Sequence, residues 1–168
     1  DVGGSGEADD RFGSSLAVGD FDGDFRDDLA IGTPYEDLGA SNENVDAGEI
    51  TVLYGADAGF FDFARTDYLT QGAIFGSTTY DQSGDIFGYA LAAGDFDGDG
   101  RDDLAAGQPG ENVGGADRGG VTILMGGLGG LYDRFRFLAA GINGVLPGPQ
   151  ENSKMGFALA VGDFDGTG

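Results

Sequence analysis

One segment occurs three times, and it constrains the fold of this chain more than any other feature. Residues 12–24 read Phe-Gly-Ser-Ser-Leu-Ala-Val-Gly-Asp-Phe-Asp-Gly-Asp, and residues 87–99 read Phe-Gly-Tyr-Ala-Leu-Ala-Ala-Gly-Asp-Phe-Asp-Gly-Asp. A third copy, residues 155–166, reads Met-Gly-Phe-Ala-Leu-Ala-Val-Gly-Asp-Phe-Asp-Gly. The equivalent aspartates Asp20, Asp95 and Asp163 stand 75 and then 68 residues apart. Self-similarity at a long, nearly constant period marks a repeat architecture, in which each unit buries its apolar face against the next.

Each copy predicts the same local structure. Residues 15–18, 90–93 and 158–161 are short runs of small apolar side chains that end at Gly-Asp. Their shortness and their bounding glycines favour a crowded, buried strand over a helix, so first strands are expected over residues 12–18 and 87–93. An Asp- and Gly-rich loop follows, then a second apolar run at 28–31 and 103–106. Pro34 and Pro109 close these runs, since proline cannot donate to a ladder. Residues 50–54 and 121–125, β-branched and flanked by glycine, predict third strands. Residues 67–70 and 134–138 predict weaker fourth strands, the latter alternating polar and apolar as a half-exposed outer strand does. No segment carries a helical period. Four strands in a unit of about seventy residues is the arithmetic of a β-propeller blade.

The loops carry the chemistry. In residues 20–28 the carboxylates fall at positions 1, 3, 5 and 9: Asp20, Asp22, Asp24 and Asp28. In residues 95–103 they are Asp95, Asp97, Asp99 and Asp103. Alternate acids in a tight loop can face one centre, and Ca²⁺ takes six to eight oxygens in a tolerant geometry. Arg26 and Arg101, at position 7, are expected to contribute backbone carbonyls. Without a cation, like charges about 5 Å apart repel by roughly 3 kcal/mol per pair at an effective dielectric near 20, so the loop reads as built to be filled. A solvated acidic turn is the plain alternative, and the two full copies weigh against it. An EF-hand needs an acid at position 12 and flanking helices. Ile31 and Ala106 stand there instead, between short glycine-bounded strands. Position 6, where a sharp turn favours glycine, is Gly100 in the second loop but Phe25 in the first.

Charge and composition remove other functions. Thirty acidic residues face 8 basic ones, a net charge of −22, which opposes binding to nucleic acid or to anionic lipid. The uncharged part of residues 119–132 is broken by glycines and too short to span a bilayer. Cys and His are both absent, which excludes thiolate sites, disulfides and imidazole catalysis. No Gly-x-Ser-x-Gly elbow is present, and the carboxylates best placed for acid–base work are committed to the loops. Tyr54, Tyr68 and Tyr89 lie in or beside expected strands, where packing explains them. Residues 35–46, 81–85 and 111–117 are polar, differ between repeats, and are the candidate ligand-facing loops.

Phe-Gly, an apolar strand, Gly-Asp-Phe-Asp-Gly-Asp, then Asp-Leu-Ala-x-Gly-x-Pro resembles the FG-GAP repeat of integrin α-subunit β-propellers and their bacterial and archaeal relatives. The resemblance covers repeat 1 at about 11–86, repeat 2 at about 87–154, and the start of a third at 155–168. It implies an all-β fold of four-stranded antiparallel blades, here two blades plus one strand of a ring that usually has seven. It implies structural Ca²⁺ held by Asp20, Asp22, Asp24, the Arg26 carbonyl and Asp28, then by Asp95, Asp97, Asp99, the Arg101 carbonyl and Asp103. Asp163 and Asp165 begin a third loop, in which Thr167 holds position 5 and position 9 lies past Gly168. The expected task is extracellular adhesion or ligand binding without catalysis, with a protein or carbohydrate ligand and with further blades from the same chain or its neighbours. Two alternatives remain: an accessory propeller of a secreted hydrolase or lyase, and a structural subunit of a surface layer or filament. Two blades and a strand leave open sheet edges, so the chain is expected to be part of a longer propeller.

Overall fold

A computed structural model describes residues 9–39, 41, 43–57, 60–115, 117–131, 134–142 and 152–162. The chain forms β1 (Ser15–Gly19), β2 (Asp28–Thr33), β3 (Glu49–Ala56) and β4 (Phe60–Leu69), then β5 (Leu91–Gly94), β6 (Asp103–Gln108), β7 (Gly120–Leu124) and β8 (Phe135–Ala139). These make two four-stranded antiparallel sheets, β1-β2-β3-β4 and β5-β6-β7-β8. All eight expected strands are present. The registers repeat as well, with Val18 opposite Leu29 in the first sheet and Ala93 opposite Leu104 in the second.

Three boundaries differ from expectation. The Phe-Gly dipeptides precede the first strands rather than starting them. Gly13 and Gly88 have φ of 82° and 80°, left-handed values that break extended backbone and that glycine adopts without steric cost. β4 begins seven residues earlier than expected, and its irregular pairing with β3 between Leu53 and Gly55 hides the strand period. A five-residue helix, α1 (Gln71–Phe75), and a 3-10 turn (Thr78–Tyr80) follow β4. Five residues are too few to show a helical period in the sequence. The Thr70 hydroxyl accepts from Ala73 N at 3.1 Å to start α1, and Gly76, at φ 79°, ends it.

The two sheets lie face to face through one apolar seam. Ile50, Val52, Tyr54, Leu69, Phe87, Leu104, Ala106, Leu124 and Leu131 are buried in a single cluster with Phe21. β1 and β5, the innermost strands, run side by side. The small residues expected there are needed on the side facing the second sheet. Ser15 Oγ donates to Gly88 O at 2.6 Å, and a Cβ on Gly19 would strike Asp102. Leu16 and Val18 point the other way and are 59% and 58% exposed, so β1 is buried on one face only. Tyr54 is fully buried, whereas Tyr68 is 44% exposed on the outer strand.

The start of each repeat is hooked onto the blade before it. Gly84 N, Ile86 N and Phe87 N donate to the carbonyls of Val45, Asp46 and Ala47 at 2.8, 3.0 and 2.9 Å. Phe87 is thereby inserted, fully buried, between the sheets, which is worth about 1.5–3 kcal/mol in removed apolar surface. Gly48, at φ 88°, lets the backbones approach, since a Cβ there would collide with the Phe87 carbonyl. Met155 repeats the hook, donating from its N to Arg118 O at 3.0 Å. Residues 158–161 form no strand in the described structure.

Candidate metal centre

Both acidic loops turn between the first and second strands of their sheets, so both lie at the same end of the molecule. Their internal bonding is nearly identical. Asp20 Oδ1 accepts from Gly23 N at 2.8 Å and Asp24 N at 3.0 Å, and its Oδ2 accepts from Phe25 N at 2.8 Å. In the second loop Asp95 Oδ1 accepts from Gly98 N at 2.7 Å and Asp99 N at 3.1 Å, and its Oδ2 from Gly100 N at 2.9 Å. Asp24 and Asp99 each accept from the N–H two residues on, at 2.9 and 3.0 Å. Local aspartate-to-backbone bonds of this kind are why Asp is used in tight turns. Phe25 takes the left-handed conformation of its counterpart Gly100, with φ of 68° against 87°.

The turns bring positions 1, 3 and 5 together. One carboxylate oxygen from each of Asp20, Asp22 and Asp24 lies within 4.8 Å of the other two, and the same holds for Asp95, Asp97 and Asp99. Position 9 is placed differently. Asp28 and Asp103 are each 1% exposed and sit at the base of their loops. Asp28 accepts from Phe21 N and Gly55 N, both at 2.9 Å, and Asp103 from Phe96 N at 2.9 Å and Gly126 N at 2.8 Å. Burial pushes the Asp28 carboxyl up to about 6, helped by Asp22 and Asp24 and opposed by its two amide bonds. Burial also raises Asp103. Asp163 and Asp165 lie outside the described residues.

The donor set is all oxygen, hard and anionic, and it fits a cation of the Ca²⁺ class. Nitrogen- or sulfur-seeking metals have no suitable ligand here. The side chains of Arg26 and Arg101 turn back onto Asp24 and Asp99, the first at 2.6 Å and the second at 3.3 Å.

Three partners of these loops went unread in the sequence. Arg65 pairs with Asp22, and Arg134 pairs with Asp97 at 3.2 Å and Asp99 at 3.5 Å. Asp102 ties one loop to the other: Asp20 N donates to Asp102 Oδ2 at 2.9 Å, and Asp102 N donates to Asp20 O at 3.0 Å. Phe21 of the first loop is fully buried against the second sheet, while its counterpart Phe96 is 39% exposed. The equivalence of Arg65 and Arg134 shows only in the strand register: each precedes the outer-strand residue opposite an equivalent leucine, Leu53 or Leu124.

The loops over 35–46, 81–85 and 111–117 share the opposite end. They are not simply open surface. Glu36, Leu38, Asp81, Asp85 and Val113 are buried within them. Glu111 accepts from the Gln71 and Gln108 side-chain amides, the latter at 2.9 Å, and Thr122 Oγ1 donates to Gln108 Oε1 at 2.9 Å.

The FG-GAP repeat family model matches residues 12–53 and 87–124, which are the first three strands and the acidic loop of each sheet. The chain is 35% identical to integrin alpha-PS2 of Drosophila melanogaster over 166 residues, 95% of this chain and 10% of that protein. It is 38% identical to phosphatidylinositol-glycan-specific phospholipase D of Rattus norvegicus over 114 residues, 68% of this chain and 12% of the enzyme. It is 34% identical to integrin alpha-5 of Xenopus laevis over 101 residues, 60% of this chain and 8% of that protein. The chain thus spans about a tenth of the length of these relatives. With the motif, the blade topology and both matched stretches in agreement, this chain belongs to the FG-GAP repeat family, and its two complete repeats are successive four-stranded propeller blades.

Proposed function

We propose that the chain is a calcium-binding section of an extracellular adhesion or ligand-binding propeller. One observation carries the metal reading: two equivalent loops each converge three carboxylates within 4.8 Å at one end of the molecule. Asp20, Asp22, Asp24 and the Arg26 carbonyl hold one ion and Asp95, Asp97, Asp99 and the Arg101 carbonyl the other, with Asp28 and Asp103 closing each site from below. Bound Ca²⁺ neutralises the crowded carboxylates and cross-links the turn. Asp163 and Asp165 start a third such loop. The repeats divide at about residues 11–86, 87–154 and 155 onward. The ligand surface lies at the opposite end, on the exposed parts of the 35–46 and 111–117 loops. Similarity to integrin α subunits supports the adhesive task and the cell-surface location.

Calorimetric titration with CaCl2 tests the reading. The expected result is binding with a dissociation constant on the order of 0.1 to 1 mM, the range of extracellular modules, and a melting temperature that climbs with free Ca²⁺. No binding at millimolar Ca²⁺, with melting indifferent to chelator, would remove calcium from the function. The similarity to a phospholipase D favours a second reading, an accessory propeller beside a catalytic unit. Phosphodiester hydrolysis by the 168-residue chain itself would overturn the non-catalytic role given to it in both readings.

A further inference from the structure

Four of the chain's eight cationic side chains gather at the two acidic loops. Arg26 and Arg101 belong to the loops themselves. Arg65 and Arg134 come from outside them, from β4 and from the residue before β8. Their positions are equivalent: Leu53 pairs with Thr66 and Leu124 with Phe135, and each arginine stands one residue before the partner of its leucine. Each reaches the same place, the position-3 aspartate of its own loop. The Arg65 guanidinium is also stacked 3.7 Å from the centroid of the buried Tyr54 ring, which fixes its direction. Blade two has Met125 at that point, yet Arg134 still reaches Asp97 and Asp99. An ion pair kept in both copies, with different packing beneath it, points to the charge rather than the packing.

We propose that Arg65 and Arg134 are resident counter-ions of the two loops, which hold the metal-free turns together and oppose entry of the divalent cation. The proposal rests on the calcium reading above and adds a regulator of affinity to it. In the metal-free loop each arginine offsets the repulsion among three carboxylates. In the loaded loop the same charge faces a divalent ion. A single and a double charge about 6 Å apart in a water-like medium change affinity roughly tenfold. The arginines therefore keep the loops folded at low calcium and keep the sites weak and exchangeable.

Calorimetric Ca²⁺ titration and chelator-state melting of Arg65→Gln and Arg134→Gln test this, with Arg65→Lys, Arg134→Lys and Arg136→Gln alongside. Arg136 lies on β8 with no ion pair to a loop among the described residues. The glutamine variants should melt lower without metal and bind Ca²⁺ about tenfold more tightly, the lysine variants should stay near the parent, and Arg136→Gln should change neither. A lower melting point with unchanged affinity makes the arginines merely structural and overturns the proposal. Weaker Ca²⁺ binding in the glutamine variants makes them orienting groups and overturns it too. Should Arg65→Gln not fold, Arg134→Gln decides, since Arg134 is the more exposed side chain. No Ca²⁺ binding by any of these proteins removes the calcium reading and this inference together, whereas parental binding with unchanged variants removes the inference alone.

Discussion

Phe25 shows how much a single side chain can cost in these loops. Its φ of 68° is the left-handed conformation that Gly100 adopts in the second blade, and its ring is 94% exposed, so packing returns nothing. A left-handed non-glycine residue is destabilising by about 1–2 kcal/mol, and glycine gives back part of that through its looser unfolded chain. Phe25→Gly should therefore raise stability by about 1 kcal/mol, a shift of roughly 2–4 °C in a chain of this size. Thermal melting in chelator checks it, and an unchanged or lower melting temperature contradicts it. Asp97 tests the other side of loop chemistry. Asp97→Ala should abolish the Ca²⁺-dependent gain in melting temperature of the second site. Without metal it removes one exposed pair with Arg134, a loss of no more than about 1 kcal/mol, and relieves repulsion from Asp95 and Asp99. Equal destabilisation with and without Ca²⁺ would show that Asp97 is not a ligand.

At the scale of the element, the β1–β2 turn and its copy β5–β6 are braced by their own backbone. Four backbone N–H groups in each loop, from residues 23–26 and 98–101, point at carboxylates of that loop, and two more cap the aspartate at its base. The repulsion expected of three crowded carboxylates is thus met by amide donors and by arginines. The first loop is the better buried, because Phe21 and Asp20 are covered by the second blade through Asp102 and Gly127. The second blade thus covers the loop of the first.

The whole molecule puts two kinds of loop at two ends. Acidic turns occupy one end of both sheets, and the variable connections occupy the other. The second end contains the buried carboxyls raised furthest, and these dominate the pH dependence near neutrality. Burial, with the Glu111 carboxylate second, pushes Asp85 up to about 8, and burial beside Glu36 pushes Glu49 up to about 7. A carboxyl whose folded value is raised keeps a proton that the unfolded chain releases near 4. Stability from these groups is full below that value and is lost as pH rises toward 8. In chelator, the melting temperature should fall between pH 5.5 and pH 8, as roughly estimated from those two values. Glu49→Gln and Asp85→Asn should each flatten the fall and raise stability at the alkaline side. A profile that rises with pH in chelator, or variants that leave its slope unchanged, would contradict this assignment.

The sequence by itself determined the repeat, the eight strands and the two acidic turns. These are local properties: glycine and proline punctuate the strands, β-branched residues fill them, and alternate aspartates accept from their own backbone. Phe12-Gly13 and Phe87-Gly88 were legible as a motif, but their place before the strand depends on left-handed glycines, which no apolar pattern reveals. The five-residue α1 was too short to leave a period, and the irregular register near Gly55 blurred the start of β4. Asp28 and Asp103 were legible as loop acids. Their burial at the base and their bonds to Gly55 and Gly126, 27 and 23 residues away, were decided by the third strand folding back over the loop. Arg65 and Arg134 took their meaning from the outer strand, which starts at the loop end of the sheet and sets a guanidinium against the position-3 aspartate. Local chemistry is written along the chain, whereas a charge that crosses a whole blade to reach its partner exists only once the blade has closed.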